Sequence, residues 1–165
     1  MVIAAMSILL ITVIIKTDGM LESMSDSVAA RRVKGDLEFC REWSMNRRDT
    51  MRIEFNLSVN PALNGYRVSA GDSLRKADNS YGLALISHPL HSKDFIVIQA
   101  EDDIRIDAAT FSHNVIIPGT SNPYSAQNLF FNNMGKPVLN ADGIIIVNGK
   151  TLTIDAETGE ITISP

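Results

Sequence analysis

Two histidines stand three residues apart in Ser87-His88-Pro89-Leu90-His91, with Asp94 close behind and His113 further along. A metal site needs three or four converging ligands, and Pro89 excludes the regular helix that would align His88 with His91. Loop histidines without a partner are the expectation. Glu101-Asp102-Asp103, with Asp107, offers carboxylate oxygens of the kind Ca²⁺ takes, but the Asp-x-Asp-x-Asp-Gly loop is absent, so a solvated turn is expected there. Ser, His and Asp all occur, yet there is no Gly-x-Ser-x-Gly elbow, no Gly-rich phosphate loop and no His-Glu-x-x-His. These residues nominate no catalytic, cofactor-binding or metal position, and the expectation is a protein that is not an enzyme and carries no cofactor. The lone Cys40 cannot form an intrachain disulfide, and its place on an apolar stripe points to packing rather than reactivity.

The elements that must carry these residues are unevenly composed. The chain has 165 residues, 45% of them hydrophobic and 21% charged, enough for one ordinary core and an appendage. Its net charge of -4 argues against a surface built mainly for nucleic acid or anionic lipid. A mean hydropathy of +0.05 hides an asymmetry, because Met1 to Ile15 contains no charge and only Ser7 and Thr12 as polar side chains. This run is shorter than the roughly 17 to 25 residues that usually span a membrane, and it lacks the basic flank of a secretory signal. From Met20 to about Trp43 apolar residues recur at helical spacing, at Met20, Met24, Val28, Val33, Leu37 and Cys40. Glu22, Asp26, Arg31, Arg32, Lys34, Asp36, Glu38, Arg41 and Glu42 are expected on the outer face, with Leu37, Cys40 and Trp43, joined by Phe39, as helix-to-sheet core. Joined to the apolar run, this helix would be on the order of 70 Å long, with Gly19 and Gly35 as the expected points of weakness.

Beyond Thr50 the period changes to two. Met51-Arg52-Ile53-Glu54-Phe55-Asn56-Leu57 reads as a half-buried strand, Asn60 to Gly65 as a turn, and Tyr66-Arg67-Val68 as the returning strand. Ser69 to Ser92 reads as an irregular connection in which Leu83 to Ile86 pairs at a sheet edge. Phe95 to Ile98, Ile104-Arg105-Ile106 and Asn114 to Ile117 are further short strands, and Pro118 to Gln127 is a loop. The last third reads as an antiparallel meander: Leu129 to Asn132, a turn at Asn133 to Lys136, Ile144 to Val147, Asn148-Gly149, Lys150 to Ile154, a turn at Asp155 to Gly159, then Ile161 to Ile163. Asn-Gly between two β-rich runs is the strongest short-range hairpin signal. The fold class expected is α+β, a long N-terminal helix packed on a small antiparallel β-sheet domain. Its divisions are residues 1–15, 16–48 and 50–165.

This order of parts resembles the type IV pilin and pseudopilin architecture. Met1-Val2-Ile3-Ala4-Ala5-Met6-Ser7-Ile8-Leu9 is similar to the stretch that follows Phe-Thr-Leu-Ile-Glu-Leu in prepilin-type N-termini. Ala29-Ala30-Arg31-Arg32 through Glu42-Trp43-Ser44-Met45-Asn46-Arg47-Arg48 resembles the helix of GspH/FimT-type minor pseudopilins. Gly65-Tyr66-Arg67-Val68 stands where that family has a Gly-Tyr-x-Val segment. Leu129 to Pro137 and Thr153 to Ile161 are similar to its late strand-turn and closing strand-turn-strand. Ser69 to Asn128 has no counterpart in the resemblance.

The resemblance implies a pilin-like subunit whose helix crosses the membrane in its first part, through Val2, Ile3, Ile8, Leu9, Leu10, Ile11, Val13, Ile14 and Ile15. It further implies that the leader, the cleavage-site Gly, the Phe and the assembly-guiding Glu lie upstream of Met1. The family's helix-breaking Pro is absent. The function implied is that of a structural minor pseudopilin of type II secretion, held in the bacterial inner membrane with its C-terminal domain in the periplasm, then built into a pseudopilus. Its partners would be other pseudopilin or pilin subunits, the inner membrane and the inner-membrane assembly platform, with no nucleic acid. One alternative is a FimT-like minor pilin that binds DNA in uptake, although the last turn carries Asp155, Glu157 and Glu160 against Lys150 alone. The other is a soluble ligand-binding β-domain that buries residues 1–15 as a core helix.

Overall fold

In the computed structural model the described residues are 2–58, 60, 64–70, 84–89, 93–102, 104–113 and 127–164, with backbone alone for 2–22, 84–85 and 100. Helix α1, Val2–Arg47, is one unbroken element of 46 residues, about 70 Å long at about 1.5 Å per residue. Neither Gly19 nor Gly35 interrupts it. It stops where Arg48 turns left-handed, with φ of 52°, and the Asp49 N–H returns to the Ser44 carbonyl at 3.2 Å, a Schellman closure in which an arginine fills the usual glycine position.

The buried face of α1 is Ala29, Ala30, Val33, Asp36, Leu37, Cys40 and Ser44. Two expectations are corrected here. Met24 and Val28, placed on the apolar stripe, are 66% and 64% exposed. Steps of four residues advance about 40° past a full turn, so the line from Met20 through Met24 to Val28 winds off the face that meets the sheets. Asp36, placed on the outer face, is 8% exposed. Among the expected outer charges, Lys34 and Glu38 do pair on the surface at 3.5 Å.

Among the described residues nine strands follow, in two antiparallel sheets. The first contains β1 (Met51–Asn56), β2 (Gly65–Ala70), β3 (Ala84–Leu85), β4 (Ile96–Ile98) and β6 (Asn128–Phe131); β1 lies between β2 and β6, and both β3 and β4 pair with β2. The second runs β5 (Ile106–Ser112), β7 (Ala141–Val147), β8 (Lys150–Ile154) and β9 (Ile161–Ser164). A one-turn helix α2, Gln99–Asp102, follows β4. Alternation turns Met51, Ile53 and Phe55 of β1 inward, and Ile145, Val147, Leu152 and Ile154 of the second sheet do the same, so α1 and the two sheets share one core.

Two strand expectations change. The Leu129 to Asn132 run does not enter the meander: as β6 it pairs with β1, with Phe131 opposite Met51, and only β7, β8 and β9 form the meander proper. Leu129 and Phe131 are fully buried in the first sheet, and a tight turn closed by the Asn132 side chain on the Met134 and Lys136 amides carries the chain away. The strand expected at Ile104-Arg105-Ile106 begins only at Ile106 and runs on to Ser112, because the Arg105 backbone is held by the β7–β8 turn. Register shifts within the β5–β7 pairing break the alternation that would have marked this strand. Residues 114–117, residues 118–126 of the expected loop and most of the Ser69 to Ser92 segment lie outside the described residues; within the latter, Ser69 and Ala70 continue β2 and Ala84–Leu85 pairs at its edge.

The Asn148-Gly149 turn has positive φ at both residues, 49° and 73°. Its side chain joins three parts of the molecule: Asn148 Oδ1 accepts from the Arg105 N–H at 2.8 Å, and Asn148 Nδ2 donates to Asp26 on α1 at 3.1 Å. Asn148→Ala should therefore cost about 2 kcal/mol, combining left-handed backbone strain with lost hydrogen bonds. Asn148→Gly, which keeps the backbone freedom, should cost about half as much. Thermal unfolding checks both, and equal losses would show that the side-chain bonds dominate.

Among the described residues no helix is long and apolar enough to cross a membrane. The side chains of Val2, Ile3, Ile8, Leu9, Leu10, Ile11, Val13, Ile14 and Ile15 lie outside those residues.

Candidate functional site

The charged and polar side chains that the fold brings together lie where the middle of α1 crosses the first sheet. Three elements converge there because each has an independent reason to be placed. Helical spacing puts Arg32, Asp36 and Cys40 one above another on α1. Tyr66 of β2 turns inward opposite Phe55 of β1. His88 is brought in by a clasped loop: the Phe95 N–H donates to Ile86 at 2.7 Å, the Val68 N–H to Phe95 at 2.9 Å, and the His88 N–H to Lys93 at 2.9 Å.

Within this cluster the Tyr66 hydroxyl donates to Asp36 Oδ2, and His88 Nε2 stands 3.8 Å from Asp36 Oδ1. The His88 ring meets Phe95 edge-on, with centroids 4.4 Å apart. One turn up the helix, Arg32 Nη2 donates to Asp102 Oδ1 at 2.7 Å, which ties α1 to α2, and Asp102 Oδ2 also accepts from the Ile98 N–H at 3.3 Å.

Burial shifts the titration of the core members. It raises the Asp36 carboxyl above the usual aspartate value of 3.8, against the Tyr66 hydrogen bond and the His88 and Arg32 charges, which favour the carboxylate. Burial and the neighbouring Asp36 push the Tyr66 phenol and the Cys40 thiol well up, so both keep their protons at physiological pH. Cys40 is fully buried and its thiolate is suppressed, which denies it nucleophilic chemistry. Burial works against the Arg32 charge, but the hydrogen bond and charge of Asp102 outweigh it and hold the guanidinium more firmly protonated.

Outward from this cluster opens a cleft of about 280 Å³ lined by Arg32, His88, Lys93, Asp94, Ile96, Val97, Glu101 and Asp102. Its walls carry both signs of charge.

The residues singled out from sequence are distributed as follows. His88 is no solvated loop histidine: it is 6% exposed and faces Asp36, a correction that follows from the loop folding back onto β2. His91 lies outside the described residues. His113 is far from His88 in role, with its ring nitrogens 2.7 Å from the Val138 carbonyl and 2.8 Å from that of Asn128, cross-linking the end of β5 to the first sheet. Glu101 and Asp102 sit on α2, whereas Asp107 pairs with Arg105 at 2.7 Å and accepts from the Gly149 N–H at 3.0 Å, so these carboxylates are not gathered on one point. Among the described residues no group of three or more His, Cys, Asp or Glu could hold a metal ion. Leu37 and Cys40 are buried in the shared core, while Trp43 is half-buried against it beneath the Arg47 guanidinium at 5.9 Å.

Sequence reasoning missed Asp36 as a core residue. The available signal was its spacing: Asp36 lies between Val33 and Leu37 and one turn before Cys40, on the same face.

Fold and cluster together define an α+β protein in which a long N-terminal helix docks on two antiparallel sheets through an apolar face with one buried carboxylate. No family model, no curated protein and no solved structure matches the chain.

Proposed function

We propose that the chain is a structural subunit of a membrane-derived filament, of the GspH/FimT-like minor pseudopilin kind, anchored in the inner membrane before assembly. The observation that carries this reading is the division of labour along α1. The first described contact between the helix and a sheet is Asp26 with Asn148, and from Val2 to Asp26 the helix axis advances about 36 Å. Its first part is the uncharged run Met1 to Ile15, and Lys16, Asp18 and Glu22 lie between that run and the β-domain. The C-terminal half of the same helix is devoted to holding the β-domain. A stem with a head fixed at one end is the shape a helix-bundle filament needs.

In this reading the β-domain faces the periplasm and then the pseudopilus surface. Other pilin-like subunits pack along the stem, and the inner-membrane assembly platform handles the subunit. Type II secretion is the system to which the resemblance of the helix end and closing strands points. The acidic last turn, with Asp155, Glu157 and Glu160, disfavours a DNA-binding pilin.

Cell fractionation tests the anchor. The full-length chain is expected in the membrane fraction, resistant to high salt and alkaline carbonate and released by detergent. The double substitution Ile8→Asp and Ile11→Asp should shift most of it to the soluble fraction, because a charged side chain at the centre of a span costs about 2.5–3.5 kcal/mol. Recovery of the unaltered chain as a soluble monomer would overturn the proposal.

A further inference from the structure

The Asn148-Gly149 turn carries a reaction of its own. An asparagine followed by glycine loses its side-chain amide without any enzyme, because a glycine nitrogen, with no side chain beside it, closes readily onto the preceding side chain. The Gly149 nitrogen gives up its proton and bonds to Asn148 Cγ, the Cγ–Nδ2 bond breaks, and Nδ2 leaves as ammonia. Water then opens the imide ring to an aspartate, or to an isoaspartate whose backbone runs through the former side chain. In this fold the groups that must react are already engaged. The Gly149 N–H donates to Asp107 Oδ2 at 3.0 Å, so the proton that must leave is held by a carboxylate, whose other oxygen pairs with Arg105 at 2.7 Å. Asn148 Nδ2, the departing group, donates to Asp26 Oδ1 of α1 at 3.1 Å, and Asn148 Oδ1 accepts from the Arg105 N–H at 2.8 Å. The Arg105 contact alone would assist attack, by drawing electron density from Cγ. It serves no nucleophile while Gly149 keeps its proton on Asp107, and together with Asp26 it stops the amide from turning.

We propose that Asn148 is a deamidation site guarded by the docked helix α1, and that its conversion to aspartate loosens the helix at that contact. Asp26 makes the first described contact of α1 with the β-domain, so lifting this end of the helix frees Nδ2 and lets the amide swing. The product then opposes return. An aspartate at 148 puts a carboxylate where an amide donor stood, 3.1 Å from the Asp26 carboxylate, and exchanges an attraction for a repulsion. An isoaspartate does more, since its extra backbone atom breaks the two-residue turn that sets Val147 opposite Lys150. Ammonia is lost, so the step is one-way, and a chain whose helix has lifted keeps a permanent record of it. The site operates whether or not the stem enters a filament.

Incubation of the full chain in detergent at mildly alkaline pH, with the amide-to-acid mass change located at Asn148 by peptide fragmentation, tests the guard. The folded chain is expected to deamidate there at least about tenfold more slowly than the chain unfolded in urea, because hydrogen bonds must break first. Asp26→Ala, which removes the helix partner, should raise the folded rate by about 2- to 10-fold. Equal rates in the folded and unfolded chain, or no increase in Asp26→Ala, would overturn the proposal. So would a parallel rise at Asn140, which would mean that the variant reacts through global unfolding. Urea unfolding reads the consequence. Asn148→Asp should lower the folding constant by about ten- to a hundredfold, and backbone strain adds little because aspartate tolerates positive φ as asparagine does. Adding Asp26→Asn restores a donor opposite the new carboxylate with the roles exchanged, and should recover most of the loss. Undiminished stability in Asn148→Asp, or a double variant no more stable than the single one, would refute the coupling to α1.

Discussion

Gly65→Ala is expected to cost about 3 to 5 kcal/mol, or to prevent folding, because the added methyl has nowhere to go. A Cβ at Gly65 would lie 2.0 Å from the Val97 carbonyl oxygen and 3.0 Å from the Ile98 Cα, both backbone atoms. A backbone atom cannot swing aside as the end of a side chain can, so β4 must separate from β2. That breaks the pairing of Gly65 with Ile98, Tyr66 with Val97 and Arg67 with Ile96. The loss would not stop at the strand, because Phe95 beside β4 is what His88 rests against and what clasps its loop to Val68. Urea unfolding measures the cost, and amide hydrogen exchange should show the greatest loss of protection at Ile96 to Ile98. Gly149→Ala is the control: its φ of 73° makes a side chain strained, but open space surrounds it, so a cost of about 1–2 kcal/mol is expected. Equal losses at the two glycines would refute the steric account.

Phe55→Ala should cost about 3–5 kcal/mol, the usual range for emptying a buried aromatic site. Phe55 is 2% exposed and holds the two sheets to each other. Its ring lies 5.6 Å from Tyr66 in its own sheet and 5.6 Å from Phe111 of β5 in the other. Such aromatic pairs contribute about 0.5–1.5 kcal/mol beyond the area they bury. For a chain of this size the loss corresponds to a fall in melting temperature on the order of 10 °C. Phe55→Leu, which refills most of the volume, should recover more than half of it. A loss below about 1 kcal/mol for the alanine variant would mean that the sheets are joined elsewhere.

The two substitutions differ in how far the sequence foretold them. Phe55 was legible, because the alternation of Met51, Ile53 and Phe55 with Arg52, Glu54 and Asn56 states which face is buried. Gly65 was legible only as turn chemistry. The reason it must be glycine is a close approach by β4, a strand distant along the chain, and no local pattern records that.

The same division runs through the candidate site. Helical periodicity assigned Leu37 and Cys40 to the buried face of α1, but the same count carried Met24 and Val28 along with them. Four-residue spacing and the turn of about 3.6 residues agree for a few steps and then part, and where they part depends on how far the sheets extend along the helix. Asp36 was assigned to solvent because a carboxylate is costly to bury alone; Tyr66 and His88, from distant parts of the chain, moderate that cost, and their arrival is a tertiary event. His88 was read as a loop residue and is one, yet the loop lies folded against β2.

What the sequence determined by itself is therefore whatever depends on neighbours a few residues away: one long helix, the change to strands after Thr50, the Asn148-Gly149 hairpin with its positive φ, and the turn that Asp155 caps by accepting from the Glu157 and Thr158 amides. Only the tertiary structure decided that β6 leaves the meander for β1, that α1 sheds Met24 and Val28 to solvent, and that Asp36, Tyr66 and His88 meet. Those outcomes depend on which surfaces remain to be covered once the local elements exist, and that is a property of the assembled core rather than of any one segment.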